Sequence, residues 1–413
     1  MTYSTDDFIE KVILVGLTAD EDELDELNEL ARTAGCEVVG RLIQNRDRPH
    51  PKHYIGKGKL DELKAQLEEH DASGIICDDE LKSIQLKSLS NALDTKVMDR
   101  TLLILDIFAA RAKSAEGKIQ VEIAQLRYNL SHLSGLGISL SRLGAGIGTR
   151  GPGEKKLEMD RRNIRVRISE LEKELEVIKT HRKTLRDSRK TMPIVSLVGY
   201  TNAGKSTLMN ALTKSEVLAE DKLFATLDTT TRKLDLLEST ENVLLTDTVG
   251  FIKKLPAGLV KAFRSTFEEL KYADILLHVV DVSDKCYHNQ MELVYETLKE
   301  LECLDKPIIT VFNKMDKIYD TTTYFIDPNA SHIVKISAKN NDNLDKLKHI
   351  IENVLATLKK PIQMFIPHTE GKLLNMIYET SQILEKEYQE NGVAIKAFLN
   401  DEMLERVKPF IEA

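Results

Sequence analysis

The chain has 413 residues, 42% of them hydrophobic and 30% charged, with a formal net charge of −8 at pH 7. This length predicts about two to four domains at roughly 150 residues each, and the composition excludes a disordered or fibrous protein. No run approaches the roughly 18 apolar residues of a membrane span, and the first residues carry no secretory pattern. We therefore expect a cytoplasmic protein without a membrane segment, with peripheral membrane attachment left open.

Residues 1–114 alternate short apolar runs with helical patterns. The helical patterns place Leu24, Leu27 and Leu30, and later Leu60, Leu63 and Leu67, on single helix faces. Strands are predicted near Val12–Leu17, Glu37–Gln44, Gly74–Cys77 and Lys96–Met98. This order predicts a small N-terminal α/β domain with a parallel sheet. Within it, residues 53–59 (HYIGKGK) form a glycine-basic turn that either contacts phosphate or is a solvated loop.

Residues 115–190 are predicted to form a helical hairpin arm. Two stretches repeat apolar residues at alternating steps of four and three, which is the seam of a coiled coil. The first seam is Ile119, Ile123, Leu126, Leu130 and Leu133, and the second is Ile164, Ile168, Leu171, Leu175 and Ile178. Two such seams joined by a loop can bury their stripes against each other as an antiparallel pair.

The tip of this arm is glycine-rich and basic. Residues 134–153 hold seven of the 20 glycines and no acidic residue. Residues 142–190 carry 15 Lys and Arg against 8 Asp and Glu, a net charge of +7, which leaves a net charge of −15 for the rest of the chain. Such a tip brings backbone amides and guanidinium groups close to phosphate, whereas the alternative is a flexible linker. We predict RNA contacts from Arg142, Arg150, Lys155, Lys156, Arg161 and Arg162.

Residues 191–360 begin with a phosphate-loop motif. The apolar run IVSLV leads into Gly199-Tyr200-Thr201-Asn202-Ala203-Gly204-Lys205-Ser206 and then a helix that starts with Thr207. The pattern G-x-x-x-x-G-K-S between a strand and a helix wraps backbone N–H groups around phosphates at a helix N-terminus. Lys205 is expected to reach the β and γ phosphates, and Ser206 to bind Mg²⁺.

Two further loops have the spacing of nucleotide-sensing switches. The first is Phe224-Ala225-Thr226-Leu227-Asp228, in which one threonine completes the metal shell; Thr226 is preferred and Thr230 is the alternative. The second is Asp247-Thr248-Val249-Gly250, where Asp247 holds the metal through water and the Gly250 amide meets the γ phosphate. Lys205, Thr226, Asp247 and Gly250 are therefore the predicted catalytic residues.

The base is predicted to be guanine. In Asn313-Lys314-Met315-Asp316 the Asp316 carboxylate can accept both N1–H and N2–H₂ of guanine, which adenine does not offer. Ser337-Ala338-Lys339 completes the pocket, with the Ala338 amide facing O6. Together, the five elements from Gly199 to Lys339 predict a P-loop domain, with a mostly parallel sheet and helices on both faces, that binds and hydrolyses GTP.

Phe251 follows the second switch loop, at the position where Ras-type proteins carry the glutamine that orients the attacking water. An apolar ring cannot orient water, so we expect slow intrinsic hydrolysis that a partner accelerates. Asn202 resembles the asparagine of potassium-using GTPases, which implies a possible K⁺ beside the phosphates. A purely structural Asn202 is the open alternative.

The chain resembles the HflX family of ribosome-associated GTPases over nearly all of residues 1–360. The resemblance rests on residues 53–59, 97–126, 142–158, 199–212, 224–232 and 247–256. It implies a GTPase that binds the large ribosomal subunit and its RNA near the catalytic centre and splits stalled or stress-inactivated ribosomes. Two alternatives stay open: assembly of the large subunit, and a nucleotide-regulated ribosome-hibernation protein without turnover. The sequence does not decide whether the N-terminal domain also uses ATP. We expect a monomer.

Residues 361–413 are predicted to form a small α+β C-terminal domain. The expected elements are a strand at QMFI, a helix from Leu373 to Tyr388, a strand at VAIKAFL and a short last helix. No chemistry is assigned to this domain.

Overall fold

The computed structural model describes residues 9–19, 21–133, 152–187, 192–213, 224, 230–237, 243–254, 268–318, 324–358, 362–399 and 401–411. These residues form three sheets with helices packed against them. The fold class expected from the sequence is confirmed: a P-loop domain with a mostly parallel sheet lies between an α/β N-terminal part and a small C-terminal sheet. Within the described ranges, no helix is long and apolar enough to cross a membrane.

The N-terminal sheet is entirely parallel, with strand order β2-β1-β3-β4. Its strands are β1 (Lys11–Gly16), β2 (Glu37–Ile43), β3 (Gly74–Cys77) and β4 (Lys96–Asp99), and its helices are α1 (Asp25–Thr33), α2 (Lys57–Glu69), α3 (Ser83–Leu93) and α4 (Arg100–Arg111). Alternate strand residues face opposite sides. Leu14 packs with α1 and α4, whereas Ile13 packs with α2 and α3. From β1 the chain adds β2 on one side and then crosses to add β3 and β4 on the other, so the strand order reverses between β1 and β3. Doubly wound sheets open a crevice at such a point.

The helical hairpin is formed by α5 (Ala115–His132) and α6 (Pro152–Asp187). Ile123, Ile168 and Leu171 are buried at the centre of the contact, with other predicted seam residues packed around them. Two ion pairs cross the contact, Arg167–Glu122 at 2.9 Å and Arg127–Glu172 at 2.6 Å. Both pairs are largely exposed, so the apolar seam contributes more to the stability of the hairpin than they do.

The sheet of the P-loop domain has six strands in the order β10-β9-β8-β5-β7-β6, parallel except for β6. The strands are β5 (Ile194–Gly199), β6 (Thr230–Leu234), β7 (Val243–Asp247), β8 (Ile275–Asp281), β9 (Ile308–Asn313) and β10 (His332–Lys335). The helices are α7 (Lys205–Thr213), α8 (Tyr287–Glu300) and α9 (Leu344–Leu358). The central strands are continuous apolar runs because helices cover both faces. Their carboxyl ends therefore carry the polar loops of the site.

The C-terminal sheet corrects one expectation. The helix predicted from Leu373 to Tyr388 ends at Thr380, and Gln382–Gln389 is a strand. The elements are β11 (Ile362–Pro367), α10 (Gly371–Thr380), β12 (Gln382–Gln389), β13 (Gly392–Phe398) and α11 (Asp401–Val407), with antiparallel strand order β11-β13-β12. A tight Glu390-Asn391 connection joins β12 to β13, with Gln389 and Gly392 paired across it. The sequence prediction missed this turn because the apolar residues before it also fit a helical period.

One apolar core joins the N-terminal sheet to the P-loop domain. Buried residues of β1, α1, α4 and α5 belong to the same cluster as Val198, Tyr200 and Phe251 at the nucleotide loops. Phe224 of the first predicted switch also belongs to it, edge-on to Phe108 of α4 with ring centroids 4.7 Å apart. The N-terminal domain therefore packs directly against residues that flank the predicted site.

Candidate nucleotide-binding site

The phosphate loop lies between the end of β5 and the start of α7, where its geometry requires two glycines. A Cβ on Gly199 would lie 2.3 Å from the backbone oxygen of Val279, and one on Gly204 would lie 2.3 Å from Nδ2 of Asn313. Gly204 also has a φ of +93°, which favours glycine. The loop can therefore lie close to β8 and β9 while its N–H groups surround the N-terminus of α7, a geometry suited to anions.

Lys205 has its ammonium group inside this loop. Its Nζ donates to the backbone oxygens of Gly199 at 3.0 Å and Tyr200 at 2.7 Å. Burial lowers the pKa of Lys205 to about 8, although the nearby carboxylate of Asp247 acts in the opposite direction. A buried cation held only by neutral carbonyls and one carboxylate has capacity for further negative charge, which phosphates provide.

Ser206 and Asp247 bring two hard oxygen ligands together. The Ser206 hydroxyl donates to Oδ2 of Asp247 over 2.9 Å, and Asp247 is 1% exposed at the end of β7. Hydroxyl and carboxylate oxygens are the ligands that Mg²⁺ prefers, so this pair fits a magnesium ion bound beside phosphates. Thr230, the alternative switch threonine, opens β6 and is the register partner of Asp247. The preferred Thr226 lies outside the described residues.

Asn313 joins the phosphate loop to the base-reading loops. Its Nδ2 donates to the backbone oxygen of Ala203 over 2.9 Å, and its Oδ1 accepts from the Ala338 amide over 3.0 Å. Asn313 is 2% exposed, so these contacts fix the spacing between the phosphate cradle and the base pocket. The structure thus brings three of the predicted sequence elements together through one side chain.

Asp316 and Ser337 form the polar end of the base pocket. The Ser337 hydroxyl donates to Oδ1 of Asp316 over 2.6 Å, and this bond lowers the pKa of the carboxyl group. Ser337 itself accepts from the Asn340 amide over 3.2 Å. Asp316 is thus kept ionised, as an acceptor of two guanine N–H groups must be.

Lys314, between Asn313 and Asp316, is held by an ion pair to the neighbouring strand. Its Nζ lies 2.8 Å from Oδ2 of Asp281 at the end of β8, with both side chains mostly buried. Asp281 in turn accepts from the amide and hydroxyl of Ser283 at 2.9 and 2.6 Å. The sequence prediction did not include Asp281 or Ser283, although Asp281 ends a buried strand next to β9.

The second switch loop begins in contact with the phosphate loop. Phe251 N–H donates to the Gly199 oxygen at 3.1 Å, and Thr201 N–H donates to the Phe251 oxygen at 2.8 Å. A Cβ on Gly250 would lie 2.8 Å from Cα of Thr201 and 2.9 Å from Nζ of Lys205. The Phe251 ring is 2% exposed and lies in the shared core, so it occupies no position from which a side chain orients water.

A charged cluster outside the predicted site connects these loops to the N-terminal domain. Arg100, only 3% exposed, donates to Oδ1 of Asp78 over 2.7 Å, to Glu26, and to the backbone oxygen of Lys253 over 3.0 Å. Asp78 directly follows β3, and Glu26 lies on the helix after β1. The cluster therefore lies at the carboxyl edge of the N-terminal sheet, on either side of its topological switch point.

Lys254 adds a second cation to this cluster. Its Nζ contacts Asp78 and lies 2.9 Å from Oδ1 of Asp79. These ion pairs raise the pKa of Lys254 against the lowering effect of its partial burial. The second switch is therefore held to the N-terminal crevice by both its backbone and a side chain. The sequence contains a weak signal for this, the acidic run Asp78-Asp79-Glu80 at a strand end.

Several predicted site residues lie outside the part of the chain that the structure describes. These are Ala225, Thr226, Leu227 and Asp228 of the first switch and Arg142 and Arg150 of the arm tip, together with the side chains of Lys155 and Lys156. Arg161 is described and donates to the backbone oxygen of Leu133 over 3.5 Å, while Arg162 is exposed on α6.

Three successive segments match known protein families. Residues 21–109 match the family described as GTP-binding GTPase N-terminal, and residues 111–189 match its middle region. Residues 194–314 match the family described as 50S ribosome-binding GTPase.

Relatives match over almost the whole chain. "GTPase HflX" of Lacrimispora saccharolytica is 54% identical, over 95% of this chain and 94% of its own. The protein of the same name from Escherichia coli is 40% identical, over 94% and 92%. Among solved structures, that of SsGBP with GDP is 27% identical, covers 85% of this chain and 99% of its own, and has a TM-score of 0.50. The chain is therefore similar over most of its length to proteins named as GTPases and to one solved in complex with GDP.

Proposed function

The chain belongs to the HflX family of GTPases, and from this premise we propose that its GTP hydrolysis drives a cycle of binding to the large ribosomal subunit. We further propose that the cycle separates stalled or stress-inactivated ribosomes into subunits. The observation that carries the proposal is the single hydrogen-bonded frame through Asn313. This frame sets a phosphate cradle and a guanine pocket at a fixed spacing.

The proposed chemistry assigns each loop one task. Lys205 neutralises charge on the β and γ phosphates, and the Gly250 amide meets the γ phosphate. Ser206 and Asp247, with Thr226, would hold Mg²⁺, which when bound supplies charge neutralisation at the phosphates. Asp316 selects guanine because adenine would leave its carboxylate oxygens unpaired.

Phe251 makes the isolated enzyme incomplete in this proposal. Its ring is buried in the core shared with the N-terminal domain and cannot orient water. The attacking water must then be positioned by backbone groups, by a partner, or by a switch that a partner orders. The ribosome is the proposed partner, and this agrees with the family description of residues 194–314.

The RNA-facing element in this proposal is the arm. Residues 142–190, which include most of its glycine-rich tip and all of α6, carry a local net charge of +7 on an otherwise acidic chain. Asn202, which has a φ of +60° in the phosphate loop, is the proposed ligand of K⁺.

The decisive experiment measures GTP hydrolysis with and without purified large subunits, together with sedimentation of intact ribosomes. We expect strong stimulation by large subunits, and subunit separation with GTP. A rate that is already fast for the isolated chain would reject the need for a partner. Selective binding to precursor particles would instead favour an assembly role, and stable intact complexes without turnover would favour hibernation.

A further inference from the structure

The N-terminal domain carries one strongly basic segment on an acidic background. Residues 46–59 hold five Lys and Arg against one Asp, a net +4, whereas residues 9–45 and 60–114 hold 10 against 20, a net −10. This segment includes the turn HYIGKGK, to which the nucleotide site gives no role. An acidic domain that approaches RNA is repelled except through such a face.

The cations of this segment are available for a partner. Arg46, Arg48, Lys52 and Lys57 are exposed, and within the described residues none of their side chains forms an ion pair or hydrogen bond. Lys59 differs because it pairs with Glu62 at 2.8 Å. Four unpaired cations within twelve residues repel one another, so their clustering favours a ligand of the opposite charge.

The backbone that carries these cations is held firmly in place. Tyr54 is 1% exposed and its hydroxyl donates to Asp79 over 2.7 Å, while the Gly56 amide donates to Gln44 over 2.8 Å. The cations therefore project from a fixed scaffold, and binding would not incur the entropy of ordering a loop.

The segment adjoins the end of the arm from which the tip extends. Gln85 of α3 donates to the backbone oxygen of His50 over 2.8 Å, and the backbone oxygen of Leu81, just before α3, lies 2.9 Å from Nε2 of His132 at the end of α5. One residue further on, the Leu133 oxygen accepts from Arg161. The start of α3 thus links residues 46–59 to the arm end that carries the basic residues of α6.

Between these parts a cleft of about 720 Å³ opens among α3, α5 and α6. Its walls combine polar and apolar groups, namely Ser90, Asn91, Asn129, His132, Leu133 and Ile164. Amide and hydroxyl groups beside apolar walls suit an unstacked RNA base.

We propose that residues 46–59 form a second RNA-binding surface, which grips the phosphate backbone of the same ribosomal RNA that the arm contacts. This inference rests on the proposed function. It assigns to residues 46–59 the role of a rigid clamp for backbone phosphates that has no base specificity of its own, to which HYIGKGK contributes Lys57.

The test compares R46Q/R48Q/K52Q/K57Q with a matched control, K299Q/K346Q/K348Q/K372Q, which removes four lysines from α8, α9 and α10, three of them exposed and Lys348 half-buried. Binding to purified large subunits is measured across a salt series. Each lost phosphate contact lowers the slope of log K against log salt by about 0.7 to 0.9, so a reduction of about 3 and at least tenfold weaker binding are expected. The control should bind like the wild type, and both variants should keep the wild-type intrinsic GTPase rate.

A photo-crosslinker placed at position 52 identifies the partner. Crosslinks to ribosomal RNA support the proposal, whereas crosslinks to ribosomal protein alone would overturn it. Wild-type affinity and salt slope in the quadruple variant would also overturn it while leaving the proposed function intact. If the wild type itself does not bind large subunits, the proposed function fails and this surface fails with it.

Discussion

Tyr200 in the phosphate loop donates its hydroxyl hydrogen to the carboxylate of Glu26 in the N-terminal domain. The same tyrosine oxygen accepts from the Lys253 amide over 2.8 Å. Phosphate loop, second switch and N-terminal domain therefore meet at one atom. A shift of either loop relative to the N-terminal domain would therefore stretch or break one of these contacts.

This cluster is expected to make stability depend on pH. Burial raises the pKa of Glu26 from its usual 4.5, although Arg100 and the bond from Tyr200 lower it. A raised carboxyl pKa gives stability that is complete below 4.5 and is lost as pH rises through the folded value. The free energy of unfolding of the wild type relative to that of E26Q, measured in urea, should therefore be higher at pH 5 than at pH 7.5. A difference independent of pH would contradict this, and E68Q on the exposed side of α2 is the matched control.

Nucleotide affinity should fall at alkaline pH. Lys205 in the free protein has a pKa lowered by burial to about 8, and bound phosphates favour its charged form. Between pH 7 and pH 9 the free protein loses this proton, and GDP binding should weaken about tenfold. Titration calorimetry in two buffers would also detect proton uptake on binding at pH 9. K205A should bind weakly with little pH dependence, and an equal tenfold change in K205A would assign the effect to another group.

Gly250 should tolerate no side chain. The Cβ of alanine would lie within 3 Å of the Thr201 Cα and the Lys205 ammonium, and neither the backbone atom nor the held lysine can readily move. We expect G250A to lower single-turnover GTP hydrolysis by about a hundredfold, in the range seen when one transition-state donor is lost. G371A, which meets nothing within 4 Å, is the control. A wild-type rate in G250A would show that this glycine does not approach the γ phosphate.

Base selection should follow the chemistry of one carboxylate. D316N replaces an acceptor with a group that also donates, so xanthine, which has an oxygen in place of the guanine N2–H₂, should be favoured over guanine. We expect GTP affinity to fall by a factor of about a hundred or more and XTP binding to appear. D316A should bind neither nucleotide well. If D316N kept its preference for GTP, another residue would have to recognise the base.

The potassium proposal is tested by exchanging the cation. If the Asn202 oxygen holds K⁺ beside the phosphates, hydrolysis in potassium should exceed that in sodium by about tenfold or more, because the ion supplies the positive charge of an arginine finger. N202A should abolish the difference. Equal rates of the wild type in both salts would leave Asn202 with a structural role only.

Much of the nucleotide site was predictable because each of its loops is a contiguous motif. Glycines at 199, 204 and 250 mark positions without room for a Cβ. Asn313 ends a buried strand that is a continuous apolar run, and Asp316 follows it by three residues. The hairpin was predictable for a similar reason, since its seam repeats every three or four residues. The strand at Gln382–Gln389 was not, because its apolar spacing fits two periods and only pairing with β13 decides between them.

The sequence by itself determined which ligand chemistry this chain carries, since phosphate and guanine recognition depend on local backbone geometry and on residues close to one another along the chain. Only the tertiary structure decided how that site is connected to the rest of the molecule. Glu26, Asp78, Arg100, Tyr200 and Lys254 come from distant segments, and each alone looks like a solvated charge or a core ring. Their contacts with one another give them a shared role, because largely buried charges such as those of Asp78 and Arg100 must find partners wherever the fold places them.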